Sequence, residues 1–109
     1  MDKPPFYYAS LVRETLKQPD AFGPDLPSPV DIEVIPNLSG SPDRIQVWLI
    51  FDTRQQADEG RRGIQNYAHR ASVLLVGAGF PGDAIASLGL MSTSTEEIEE
   101  AGGRFPFFR

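Results

Sequence analysis

Proline decides where this chain can build regular structure. Six of its ten prolines fall between Pro19 and Pro42, and each removes a backbone donor and fixes φ near about −65°. The stretch Gln18 to Pro29 (QPDAFGPDLPSP) has neither helical nor strand periodicity, so 18–29 reads as an extended connector, pinned to the body by Phe22 and Leu26. Before it, after Pro4 and Pro5, Tyr8, Leu11, Val12, Thr15 and Leu16 recur on one helical face. That spacing predicts a helix over 6–17 which Pro19 ends.

Beyond Pro29 the period changes to two. Val30, Ile32 and Val34 alternate with Asp31 and Glu33, the pattern of a half-buried strand, and Pro36 confines that strand to an edge or ends it. After the turn Ser39–Asp43, the run RIQVWLIF places Ile45, Val47, Leu49 and Phe51 on one face, with Trp48 and Ile50 on the other. A strand apolar on both faces is expected at the centre of a sheet, covered on both sides.

Asp52 and Thr53 then stop the strand. Thr53-Arg54-Gln55-Gln56 has the spacing of a capping box, and apolar residues return from Ile64 to Ala78 with helical period. We read one helix over 54–77, closed by Gly77 or Gly79 ahead of Pro81. Pro81 and Asp83 open a further helix over 82–91, and Ser94 to Glu97 caps a last one over 95–101 that Gly102-Gly103 ends. The closing Arg104-Phe105-Pro106-Phe107-Phe108-Arg109 reads as extended. The expected fold is therefore α+β: a small antiparallel sheet of 30–38, 44–51 and 104–108 packed against these helices. The alternative is α/β, with a parallel strand at 72–76, because Ser72-Val73-Leu74-Leu75-Val76 is equally compatible with a buried strand.

A length of 109 residues suits a single domain with one core. With no cysteine there is no disulfide framework, thiolate nucleophile, Cys-liganded zinc or Fe–S cluster, and one histidine leaves no two-histidine metal site. We expect no cofactor and no metal. A net charge of −5 argues against nucleic acid, whose backbone calls for a clustered positive surface. No apolar run reaches about 18 residues and MDKPPFYY carries no signal-peptide core, so the expectation is a cytoplasmic chain away from membranes.

The charge is unevenly spread. Residues 53–80 carry Arg54, Arg61, Arg62 and Arg70 against Asp58 and Glu59, while 81–101 carry Asp83, Glu96, Glu97, Glu99 and Glu100 with no base. Such a split is intramolecular pairing, a complementary surface for another subunit, or two solvated faces that never meet.

Three constellations bear on function. Gly77, Gly79 and Gly82 complete G-x-G-x-x-G between an apolar run and a helix, the arrangement by which backbone N–H groups cradle a phosphate. Its context argues against a nucleotide, since EEIEEAGG stands where a second strand would be needed; a Gly/Pro corner between packed helices explains it, with anion or small-ligand binding as the alternative. His69, on the polar flank of its helix, and Asp52, at a strand end before a helix, are the candidates if the chain is an enzyme. Solvation and capping account for both, and no catalytic residue is assigned.

The aromatic residues resist a bland reading. Six of eleven lie at the two ends: Phe6, Tyr7 and Tyr8, and Phe105, Phe107 and Phe108. Leaving three phenylalanines in water forfeits roughly 1.5–3 kcal/mol of burial each, so 102–109 is expected to dock, within the chain or on a partner. Arg104 and Arg109 would then meet the acidic segment. The expectation is a small, acidic, non-enzymatic protein–protein interaction or regulatory module, a homodimer or bound to a protein partner. Its surface would comprise Phe105, Phe107, Phe108, Arg104, Arg109, Glu96, Glu97, Glu100 and Trp48.

Overall fold

The computed structural model describes residues 6–108. Helix α1 (Tyr7–Leu16) is followed by the connector, strand β1 (Asp31–Ile35), strand β2 (Gln46–Phe51), helices α2 (Arg54–Arg62) and α3 (Ile64–Gly77), a 3-10 helix (Gly82–Ser87), strand β3 (Gly89–Ser94), and helices α4 (Thr95–Glu100) and α5 (Arg104–Phe108). The fold is α+β, as the sequence predicts. The sheet has the order β1-β2-β3. β1 and β2 form the expected antiparallel pair, with Ile32 opposite Leu49 and Val34 opposite Val47.

The third strand corrects the sequence reading. It is Gly89–Ser94, parallel to β2, with Trp48 opposite Met91 and Ile50 opposite Thr93. Residues 104–108 are helical instead, because Pro106 sits in the first turn of α5, where its missing N–H would have no helical partner anyway. The predicted helix 82–91 is a 3-10 turn that ends at Ser87, and 72–76 lie inside α3, so the alternative parallel strand is not there.

The single helix predicted over 54–77 is two. Gly63, with φ −97° and ψ 17°, breaks it, while its N–H still donates to the Glu59 carbonyl (3.1 Å) and its own carbonyl accepts from Asn66 (2.9 Å). The break has a packing reason. α2 buries only small residues, Ala57 and Gly60, and so lies close on β2 and β3; α3 buries Tyr67, Ala71 and Leu75. A kink at glycine lets each segment present its own face.

One face of the sheet carries Ile32, Val34, Val47, Leu49 and Phe51, which join Val12 and Leu16 of α1 and Tyr67, Ala71 and Leu75 of α3 in the core. The connector is pinned as expected: Phe22 is buried and meets the Tyr67 ring edge-on at 5.1 Å, and the Tyr67 hydroxyl donates to the Pro27 carbonyl. On the opposite face of β2, Ile50 is 1% exposed, and Trp48 is covered by α5, its ring 5.4 Å from Phe107 and 5.6 Å from Phe108. β2 is thus the central, two-sided strand its sequence describes. No helix among the described residues is long and apolar enough to cross a membrane.

Candidate functional site

Three places were singled out by sequence, and a fourth emerges from the fold. At the glycine corner, Gly77 ends α3, Gly79 adopts φ 102° and Gly82 opens the 3-10 helix. Gly79 alone of the three needs its missing side chain for backbone reasons. A Cβ at any of them would meet nothing within 4 Å, so no close backbone approach has been built there. The element before the corner is a helix, which removes the strand that a phosphate cradle follows.

His69 is exposed and lines a shallow depression with Asp25, Asn66 and Arg70; Asp52 is exposed beyond the end of β2 and does not line it. Among the described residues no group of three or more His, Asp or Glu side chains is placed to hold a metal.

The charge halves do meet within the chain. Thr53 caps α2 with the predicted capping box, and Ser94 caps α4 by accepting from Glu97 N–H. Both helices start at the carboxyl ends of parallel neighbours, a place where anions often bind. Here the chain's own carboxylates fill it. Glu96 accepts from the Arg54 backbone N–H at 3.1 Å, Glu100 pairs with the Arg54 guanidinium, and Glu97 lies 3.8 Å from Arg61. The hydrogen bond to Glu100 holds the Arg54 pKa above its ordinary value. Glu96, Glu97 and Glu100 are therefore engaged with α2, while Glu96 and Glu100 remain exposed.

Arg104 departs from expectation. It does not reach the acidic segment but bonds Asp31 at 2.6 Å and Glu33 at 3.3 Å on β1, which raises its pKa, the Asp31 bond contributing most. Lys17 reaches Asp31 as well, at 3.2 Å. Burial alone would raise the Asp31 pKa; the Arg104, Ile32 N–H and Lys17 contacts outweigh it and leave the carboxyl below its ordinary value. Phe107 and Phe108 are half-buried on Trp48 and Phe105 is 77% exposed. Arg109 lies outside the described residues.

The fourth place is the edge of the sheet, and the two edges differ. On β1, Asp31 and Glu33 carry charge, Pro29 and Pro36 flank the strand, and the Ile32 N–H is taken by the Asp31 carboxylate at 2.8 Å. These are the devices by which sheets block their edges. On β3, Gly89 N–H donates to the Ile45 carbonyl at 2.9 Å. Ladder alternation then turns Gly89, Met91 and Thr93 toward β2, and the peptide groups of Leu90 and Ser92 outward. One of these is met inside the chain: Arg61 donates to the Ser92 carbonyl at 3.2 Å. A groove of about 380 Å³ runs along this edge, lined by Trp48, Met91 and Phe107 on one side and by Arg61, Ile64 and Leu90 on the other.

Trp48 and Phe107 of the predicted surface thus meet at the groove, while β3 was missed. One signal was available: from Ala84 to Thr95 the chain has neither a charge nor a proline. The chain matches no protein-family model, no curated protein and no solved structure, so its own geometry carries the functional reading.

Proposed function

We propose that the chain is a small, non-enzymatic protein–protein association module that receives an extended segment along the outer edge of β3. The observation carrying this reading is the contrast between the edges: β1 is blocked by charge, proline and a side-chain cap, while β3 turns Leu90 and Ser92 peptide groups outward beside an apolar groove. Strand addition uses both parts. The edge supplies main-chain hydrogen bonds, and pockets on alternate sides select side chains. Trp48, Met91 and Phe107 offer aromatic and thioether surface of the kind enriched at interface centres.

The test is selection of peptides from a random displayed library by the full chain, then titration of the binders into isotope-labelled protein. The expected outcome is amide shifts confined to residues 88–93 and the groove residues Trp48, Arg61, Ile64 and Phe107, lost in Met91→Lys. Binders whose shifts map to Gly77–Gly82, to the starts of α2 and α4, or to the His69 depression overturn the reading, as does the absence of any binder.

A further inference from the structure

We infer that the occupant of the β3 edge is β3 of a second copy of this chain, running antiparallel about a two-fold axis through Leu90, so that two three-stranded sheets join into one of six. This rests on the strand-receiving reading above and adds the partner and the register.

Charge separates the two possible homotypic edges. Pairing β1 with its own copy would bring Asp31 and Glu33 near their equivalents and crowd the Arg104 and Lys17 side chains that pair with them, which costs stability. Pairing β3 with itself opposes no charges within the strands, because GLMSTS has none, and the two charged residues that line the groove beside it, Arg61 and Glu97, are of opposite sign. A two-fold contact must be self-complementary, and an uncharged strand meets that condition.

The hydrogen bonds already made inside the chain select the register. Outward-turned residues are Leu88, Ser92 and, between them, Leu90. The Leu88 N–H is spent on the Ile85 carbonyl at 3.0 Å, and the Ser92 carbonyl is occupied by Arg61. With the axis through Leu90, Leu88 of one copy faces Ser92 of the other, and these two satisfied groups oppose each other without needing a bond. What remains pairs: Leu90 N–H with the Leu90 carbonyl of the other copy, reciprocally, and Ser92 N–H with the Leu88 carbonyl, twice. In the same register Met91 lies opposite Gly89, which has no side chain to exclude it. Leu90 meets its equivalent on the helix-covered side, so groove faces groove on both sides of the new sheet.

The test uses the absence of native cysteine. Directly opposed residues in a hydrogen-bonded antiparallel pair have Cα atoms about 5.5 Å apart, within disulfide reach. Leu90→Cys is therefore expected to cross-link to a dimer on mild oxidation, far faster than Leu38→Cys, placed at a residue 88% exposed. Sedimentation of the unaltered chain is expected to give twice the 12.0 kDa chain mass, and Met91→Lys, which sets a charge beside the axis, to halve that mass with an unchanged circular dichroism spectrum. A mass of one chain at about millimolar concentration, or equal cross-linking of the two cysteine variants, overturns the second copy. If selected peptides still bind that monomer and Met91→Lys removes them, the strand-receiving reading stands and the homotypic partner alone falls; if neither copy nor peptide binds, both fall.

Discussion

Gly60 is the residue where a small change has a sign that can be worked out from the structure. It lies in the last turn of α2, and an added Cβ would stand 2.7 Å from Phe51 Cε2, 2.9 Å from Cζ and 3.0 Å from Ser92 Oγ. Helix preference alone favours Gly60→Ala by about 1 kcal/mol. Overpacking opposes it, typically by about 1–3 kcal/mol. The upper part of that range applies because neither neighbour is free to yield. Phe51 is 2% exposed and meets Tyr67 edge-on at 6.0 Å, and the Ser92 hydroxyl donates to the Ala57 carbonyl at 2.8 Å. The balance is a net destabilisation of about 1–2 kcal/mol. Gly63→Ala is the matched control: its Cβ meets only ordinary contacts, at 3.6 Å and beyond, and with φ −97° it should gain about 0.4–1 kcal/mol through the unfolded chain. Urea unfolding followed by circular dichroism and by Trp48 fluorescence reads both. The decisive measurement is the cycle with Phe51→Leu, which removes the two ring atoms that collide. Gly60→Ala should then cost less in the Phe51→Leu background than in the native one, with a coupling of about 1–2 kcal/mol. Stabilisation by Gly60→Ala alone, or additivity within about 0.5 kcal/mol, would refute the close approach of α2 to the sheet.

Three further outcomes are expected. Thr53→Ala removes the hydroxyl that accepts from Gln56 N–H and should lower stability by about 1 kcal/mol, restored largely by Thr53→Ser and measured by urea midpoint. Because the folded Asp31 pKa is below its ordinary 3.8, its stabilising contribution is complete above that value and is lost as pH falls through the lowered folded pKa. Asp31→Asn should accordingly flatten the acid limb of a stability profile between about pH 2 and 4; an unchanged limb would show that the Arg104 and Lys17 contacts do not persist in solution. Deleting residues 104–109 uncovers Trp48, so its emission should shift to the red while the far-ultraviolet dichroism keeps its shape; unmoved emission would place α5 elsewhere.

Much of the fold was legible because local and tertiary preferences agree. The alternation around Asp31 and Glu33, the two-sided apolar run ending at Phe51, and the cap residues Thr53 and Ser94 each point to one structure. β3 was hidden because GLMSTS has no β-branched apolar alternation: its first half is Gly, Leu and Met, and its hydroxyls read as a capping segment. It becomes a strand because β2 has a second edge to fill, a fact about the whole chain rather than its own residues. The tail misled in the opposite direction, since aromatic composition suggests a strand but Pro106 fits a first helical turn. The candidate edge was illegible for the same reason as β3, while Trp48 and Phe107 were legible as apolar groups that needed a partner.

The parallel pairing of β2 with β3 also has a consequence for the order of events during synthesis. A hairpin such as β1–β2 closes as soon as its two strands exist, but a parallel neighbour must wait for the whole crossover from Asp52 to Leu88 to be made and turned back. Until residues 89–94 emerge, β2 presents an uncovered edge beside Trp48, and α5, which shields that ring, is made later still. The newborn chain therefore passes through a stage in which this apolar edge is bare, and because helices form in about microseconds while synthesis adds only about 5–20 residues per second, the time taken to make residues 52–94 sets how long that exposure lasts.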